Sequence, residues 1–344
     1  MVYYSAVLDS ANEKLGFGHG NTLYMSVYNH IAERTMKNHF YGRDIVSIKE
    51  FDKEDLDFLF KSTEKLRDMH QNEKRELARG RILGYLFFEP STRTRLSFEA
   101  AMASIGGSSM GIADAKSSSL EKGESLADTV RVIDQYSDVI VLRNQLDGSS
   151  RFAAEVAEHP VINAGSGTEE HPTQAMLDLY TIWKEKGKID GLKIGIVGDL
   201  KYGRTVYSLL YGLINYNAEI YLIAPPSLKI RKESIFGVEN KIKIHEHEVL
   251  NDILKELDVV YVTRIQRERF PDTQEYEKVK GSYIIDSKIL QNAKSDVIVM
   301  HPLPRLDEVS HDVDGLPAAK YFEQVAYGKD IRATLLALVL NEEF

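Results

Sequence analysis

The 344-residue chain has no cysteine. Disulfides, thiolate metal sites and a cysteine nucleophile are therefore excluded. Long apolar runs are missing as well. No stretch reaches the roughly 18 consecutive apolar residues that mark a membrane-crossing helix, so neither a transmembrane helix nor a membrane partner is expected. The first residues carry neither the basic region nor the apolar core of an export signal, which makes cytoplasmic the default expectation. Positive charge is in deficit: 43 Lys and Arg face 52 Asp and Glu, a net charge of −9. A broad nucleic-acid surface is not expected from such a balance, and an anionic ligand would need a local arginine cluster. No GxxxxGK[ST] occurs, so a P-loop nucleotide site is unsupported. The turn after residues 193–197 holds bulky Leu200, Lys201 and Tyr202 where a dinucleotide fold would place GxGxxG, which weakens a dehydrogenase reading.

What is present is ordinary for a globular protein with sizeable cores: 43% of residues are hydrophobic. The length suggests two domains at about 100–200 residues each. Residues 1–35 look unlike the rest and are expected to form a largely disordered N-terminal extension. From 52 to about 74 apolar residues recur at helical spacing. Strands are expected at 82–88, 138–142, 193–197, 219–223, 259–263, 282–285 and 297–300, with helical patterns between most of them. That alternation predicts an α/β fold of two domains, each a parallel β-sheet flanked by helices, joined by long helices. The stretch 172–186 fits a joining helix, and 331–340 is a strongly apolar last helix.

Several short motifs lie at strand ends. Ser91-Thr92-Arg93-Thr94-Arg95 falls between the strand at 82–88 and its helix, where free backbone N–H groups and the helix dipole favour anions. Ser91 is the expected N-cap. Hydroxyls and guanidiniums at this density make an oxyanion receptor. His171-Pro172-Thr173-Gln174 opens the joining helix, with proline at the first helical position. A histidine there should stay neutral and donate to a carbonyl oxygen, with Gln174 on the same helix face. Arg143 follows the strand at 138–142, and Arg204 opens the helix after Gly203. Arg264, with Gln266, follows the strand at 259–263, where a guanidinium grips a carboxylate bidentately. In His301-Pro302-Leu303-Pro304-Arg305 the prolines are expected to fix an extended backbone and leave carbonyls pointing out. His245-Glu246-His247-Glu248 matches no compact tetrahedral spacing and reads as a solvated strand end; no metal is expected.

FFEPSTRTRLSFE resembles the carbamoyl-phosphate signature of the aspartate/ornithine carbamoyltransferase family. DLKYGRT and TRIQ are similar to its aspartate branch, HPLPR also resembles the family, and the cysteine of the ornithine enzymes' corresponding loop is absent. An arginine-lined pocket suits a dicarboxylic acid, whereas ornithine would want a carboxylate for its distal ammonium. The resemblance covers roughly residue 40 to the C-terminus. It implies transfer of the carbamoyl group from carbamoyl phosphate to L-aspartate, giving N-carbamoyl-L-aspartate and phosphate, an early step of de novo pyrimidine biosynthesis, with no cofactor. It further implies a carbamoyl-phosphate domain (36–172 plus 328–344) and an aspartate domain (173–327). By the same resemblance Ser91, Thr92, Arg93, Thr94, Arg143, His171 and Gln174 would hold carbamoyl phosphate, with the carbonyls of Leu303 and Pro304 accepting from its NH2. Arg93, Thr94, Arg143 and His171 would be the catalytic set. Lys122, Arg204, Arg264 and Gln266 would bind aspartate. Ser119, chosen among serines 117–119, and Lys122 would reach a neighbouring subunit's site in a homotrimer, regulatory chains being left open. Glu89 would pair with Arg204 and Arg269 as the domains close. A transferase for another amino acid and a non-catalytic binding paralogue remain the rival readings.

Overall fold

In the computed structural model the described residues are 38–114, 123–167, 170–265 and 273–344. The extension 1–35, Ser119, Lys122, Gln266 and Arg269 lie outside them. The chain from residue 40 onward starts with α1 (Lys53–Asp68), capped by the Asp52 carboxylate accepting from Asp55 N–H. The helical pattern expected to reach 74 is broken at Met69 and His70, both in extended conformation, and only one separate turn follows, at Gln71–Lys74.

The first sheet alternates strands and helices: β1 (Ile82–Phe87), α2 (Thr92–Ser104), β2 (Ser108–Ile112), α3 (Leu126–Asp134), β3 (Val139–Asn144), α4 (Ser149–Val156) and β4 (Val161–Ser166). Its order is β2-β1-β3-β4 and all neighbours are parallel. Then α5 (Pro172–Lys186) leads to the second sheet: β5 (Lys193–Val197), α6 (Arg204–Leu213), β6 (Glu219–Ile223), β7 (Lys243–His247), β8 (Val259–Val262), α7 (Thr273–Val279) and β9 (Ile298–Met300). That sheet, also parallel, runs β7-β6-β5-β8-β9. The last helix, α8 (Tyr321–Leu340), is longer than the apolar stretch read from sequence. Among the described residues no helix is long and apolar enough to cross a membrane.

β3, β4, β5 and β8 are buried along their whole or nearly whole length, as parallel strands covered on both faces must be. The segment 282–285 is not a strand. Only Ile285 forms an isolated bridge, to Val309, because β9 already occupies the edge beside β8. The short or half-exposed edge strands β2 and β7 carry weak apolar patterns. In β7, His245 and His247 stack on Tyr221.

α5 and the second half of α8 (331–340) are buried nearly all round, the property of a helix inside a protein rather than on its surface. One continuous apolar core runs from Phe40, Leu59 and Leu83 through Met176, Leu179 and Leu336 to Ile194 and Ile220. At ~1.5–3 kcal/mol per fully buried large apolar side chain, this shared core fixes both sheets to the same two helices.

Candidate active site

Each sheet has a topological switch point, where successive crossovers leave one strand on opposite sides. In the first sheet this lies between β1 and β3, in the second between β5 and β8. Parallel α/β sheets bind ligands outside the carboxyl ends of strands at such points. Four of the arginine motifs noted in the sequence are at one of them: Ser91–Arg93 after β1, Arg143 on β3, Arg204 after β5 and Arg264 after β8, whereas Arg305 follows the edge strand β9. The four line a single cavity of about 490 Å³ together with His171, Gln174, Leu303 and Pro304. Five guanidiniums (Arg93, Arg143, Arg204, Arg264 and Arg332) face it, and Glu89 is its one lining carboxylate among the described residues.

Local geometry explains the convergence. Pairing of β1 with β3 sets Phe87 opposite Arg143, so Glu89, two residues on, meets the Arg143 guanidinium at 2.9 Å. The register of β3 with β4 shifts between Leu142 and Asn144, and Arg143 donates to the Ala164 carbonyl at 3.0 Å. Gly165 there has φ +114, and a Cβ on it would stand 2.9 Å from the Arg143 guanidinium. In the second sheet Gly198, at φ +116, lets the chain pass Thr263, whose carbonyl would lie 2.2 Å from an added Cβ. The buried Asp199 accepts from the N–H groups of Lys201 and Tyr202 at 3.2 and 2.9 Å. This closes the loop that delivers Arg204 to the first position of α6.

Ser91 occupies the N-cap position of α2, but its side chain makes no capping hydrogen bond. The hydroxyl thus lines the cavity without capping the helix, contrary to the expectation from sequence. Thr94 is buried there and Arg93 exposed. Partial burial first and the charge of Arg264 second hold the Arg93 guanidinium below its usual value. Cations that repel one another at a helix N-terminus form a receptor for an anion.

Glu89 is shared. Its carboxylate takes Arg143 at 2.9 Å and Arg204 at 2.9 and 3.1 Å, so one side chain ties the end of β3 to the start of α6. Burial works to raise its pKa, but Arg204 and Arg143 overcome that and hold the carboxyl below the usual range. The sequence reading paired it with Arg204 and Arg269. The first is found, Arg143 is an unforeseen partner, and Arg269 is outside the described residues.

His171 is the N-cap of α5, with Pro172 at the first helical position. Its backbone N–H donates to the Ser208 hydroxyl at 2.9 Å. Burial foremost, then the charges of Arg143, Arg332 and Arg204, push the imidazole well below its ordinary pKa. A neutral imidazole at this position is able to donate one hydrogen bond. We expect its NMR resonances not to titrate between about pH 6 and 8, with no inflection in kcat from this group. Because its folded pKa is depressed, its contribution to stability is complete above the unfolded value of about 6.5 and declines as pH falls toward the folded value. A His171→Gln variant should lose less stability than the parent on acidification through that window, read by thermal unfolding at successive pH values.

The loop 301–305 is not extended throughout: Leu303 lies at φ 53 and the Leu303–Pro304 peptide is cis. His301 holds it, its Nδ1 accepting from Leu303 N–H at 2.8 Å and its Nε2 reaching Glu308 at 2.8 Å. The first bond fixes the tautomer, with the proton on Nε2.

Sequence reasoning missed Arg332, Ser97 and Gln324, all lining the cavity. Arg332 is 4% exposed, donates to the Ser97 hydroxyl at 2.8 Å, and burial moves its pKa down to about 10 against the pull of Asp178. A lone arginine inside an apolar helix was a legible sign, since a charge is buried only where something requires it. Ser97 and Gln324 carried no such sign.

Two family models match the chain. One is described as the aspartate/ornithine carbamoyltransferase carbamoyl-P binding domain, over residues 43–184, and the other as the Asp/Orn binding domain, over 190–339. The chain is 63% identical over 305 residues to the aspartate carbamoyltransferase catalytic subunit of Nitrosopumilus maritimus, covering 89% of this chain and 99% of that one. It is similar to the crystal structure of the aspartate transcarbamoylase catalytic subunit of M. jannaschii (49% identity, TM-score 0.80, 86% and 97% covered). It is also similar to the enzyme from Trypanosoma cruzi in complex with carbamoyl phosphate and aspartate (40% identity, TM-score 0.83, 88% and 98% covered).

Proposed function

The chain belongs to the aspartate/ornithine carbamoyltransferase family, and from that premise we propose the reaction its cavity performs. It transfers the carbamoyl group of carbamoyl phosphate to L-aspartate, giving N-carbamoyl-L-aspartate and phosphate, an early step of de novo pyrimidine biosynthesis. The observation that carries this reading is the meeting of five guanidiniums with His171 and Gln174 in one cavity at both switch points. That constellation suits a substrate pair bearing a phosphate and two carboxylates.

In this proposal Ser91, Thr92, Arg93 and Thr94 hold the phosphate at the start of α2. Arg143, His171 and Thr94 donate to the carbonyl oxygen, and Gln174 with the Leu303 and Pro304 carbonyls takes the NH2. Arg204, Arg264 and Gln266 hold the aspartate carboxylates. The aspartate amine attacks the carbamoyl carbon. A C–N bond forms, the C–O bond to phosphate breaks, and an amine proton passes to the departing phosphate. Charge gathers on the carbonyl oxygen, where donors fixed in advance count most, and holding both reactants supplies much of the rest. Lys122 and Ser119 belong to a neighbouring copy in a homotrimer with shared sites, as the Lys-Gly-Glu loop of the family suggests. Regulatory chains fit the naming of the relatives as catalytic subunits.

Colorimetry for ureido products tests the acceptor. Carbamoyl phosphate with aspartate should give product, and ornithine should give none above background. Product from ornithine, or from neither amino acid, would overturn the reading.

A further inference from the structure

One buried acid in the second half of α5's first turns has no place in the chemistry above. Asp178 is fully buried and stands four residues after Gln174, on the same helix face. Gln174 Nε2 donates to its Oδ1 at 2.8 Å, and Gln324 Nε2 donates to the same oxygen at 2.6 Å. The Tyr261 hydroxyl, on β8, donates to Oδ2 at 2.8 Å. Gln324 in turn accepts from the His301 N–H through its own carbonyl oxygen at 2.9 Å.

An amide side chain has one donor end and one acceptor end, and a carboxylate only accepts. Asp178 therefore determines which way Gln174 faces: nitrogen toward the acid, oxygen toward the cavity. The same carboxylate, through Gln324, holds the start of the 301–304 loop, whose residues also line the cavity and whose carbonyls the proposed reaction sets against the NH2. Gln174 and the loop are thereby set to accept hydrogen bonds rather than donate them, in a cavity whose arginines and His171 supply the donors.

We propose that Asp178 is the positioning residue that makes this site select an acyl phosphate bearing an NH2 group, by locking Gln174 and the 301–304 loop as acceptors. The inference rests on the carbamoyl-transfer reading. An NH2 group supplies two donors to those acceptors, whereas a methyl group of similar size supplies none and leaves them unpaired. A site built around hydrogen bonds rejects the analogue lacking them far more strongly than an apolar pocket rejects one of the wrong size. Burial raises the Asp178 carboxyl to about 7, and the three donors and the Arg332 charge oppose that rise. Oδ1 accepts from both glutamine amides in either protonation state, because a proton would sit on Oδ2, where the Tyr261 hydroxyl can turn to accept it.

The probes are phosphonoacetamide and acetonylphosphonate, which differ only by NH2 in place of CH3, with inorganic phosphate as control, all by calorimetry on the full chain. The parent should prefer the amide by about 10-fold or more. Asp178→Ala frees the glutamine amides to turn, and the preference should fall toward unity while phosphate binding stays within about twofold. Asp178→Asn keeps an oxygen at the Oδ1 position, the Tyr261 hydroxyl turning to accept from the new amide, so most of the preference should return. If Asp178→Ala does not fold, Asp178→Ser carries the same expectation. A folded Ala or Ser variant with the parent's preference overturns the proposal, as does equal loss of both phosphonates together with phosphate. A parent that forms N-carbamoyl-aspartate yet binds both phosphonates alike defeats this inference alone. A parent that forms no ureido product defeats the reading beneath it.

Discussion

Arg93→Ala should lower kcat/KM for carbamoyl phosphate by about 10²–10³-fold, the cost of removing one charge-assisted donor from a prearranged anion site, ~2.7–4 kcal/mol. Arg93 stands on the first turn of α2 beside Thr92 and Thr94, and among the described residues no carboxylate lies within ion-pairing distance of it. Its charge is instead opposed by Arg264 and by partial burial, both of which disfavour the protonated form. The folded protein thus holds this cation against its own electrostatics until an anion arrives. The expected signature is a split between activity and stability. The alanine variant should melt at the same temperature as the parent or slightly above it, because a repulsion has been removed, while activity collapses. Adding inorganic phosphate should raise the melting temperature of the parent and leave that of the variant nearly unchanged. Steady-state kinetics with thermal unfolding reads all three quantities. A variant that loses stability and activity together would assign Arg93 a structural task instead.

The residues read most easily from sequence were those where chemistry and backbone signal coincide. The α2 motif joins a strand end, a helix start and an arginine cluster in five residues, and α5 is bounded by proline at its first turn and glycine at its close, with limits that match the expectation. The same logic placed Arg143, Arg204 and Arg264 at strand ends before any topology was known, and the sheet orders explain why: Arg143 is near the end of β3, and the others follow β5 and β8, all strands flanking the two switch points. What the sequence could not show was pairing across long separations. Glu89 meets Arg143 only through the register of β1 and β3, and meets Arg204 only because α5 and α8 bind both sheets into one core. Asp178 had a readable place, one acid in a buried helix four residues after Gln174. Its other partners, Tyr261 and Gln324, come from β8 and α8 and needed the fold. The expected strand at 282–285 failed for a related reason. Apolar residues there are buried against the second core, but the sheet edge beside β8 belongs to β9.

Glu89→Gln should reduce kcat/KM for aspartate by roughly 10- to 100-fold, the range set by ~1.5–3 kcal/mol for hydrogen bonds to charged groups. The substitution keeps size and one acceptor oxygen but removes the charge that Arg143 and Arg204 share. Both guanidiniums are nearly buried, with side chains 8% and 11% exposed, so the loss of their common counter-charge is poorly compensated by water. The new amide nitrogen would also point at one of two donors, and the nearer guanidinium must turn away. Arg204, which also donates to the Gly167 carbonyl at 2.7 Å, is the one that the proposed reaction assigns to a substrate carboxylate. The damage should therefore fall on the KM for aspartate, while competitive inhibition by phosphate, which the proposal places at the α2 start, should change little. Acid acts in the same direction. The Glu89 carboxyl is held below its usual range by the two arginines, so the stability it contributes is complete above about pH 4.3, the unfolded value, and is lost as pH falls through the folded one. The parent should lose stability on acidification below that point and the glutamine variant should lose less. Aspartate kinetics equal to the parent's, with an unchanged acid profile, would remove Glu89 from the link between β3 and α6 and leave Arg143 and Arg204 positioned by their backbone bonds alone.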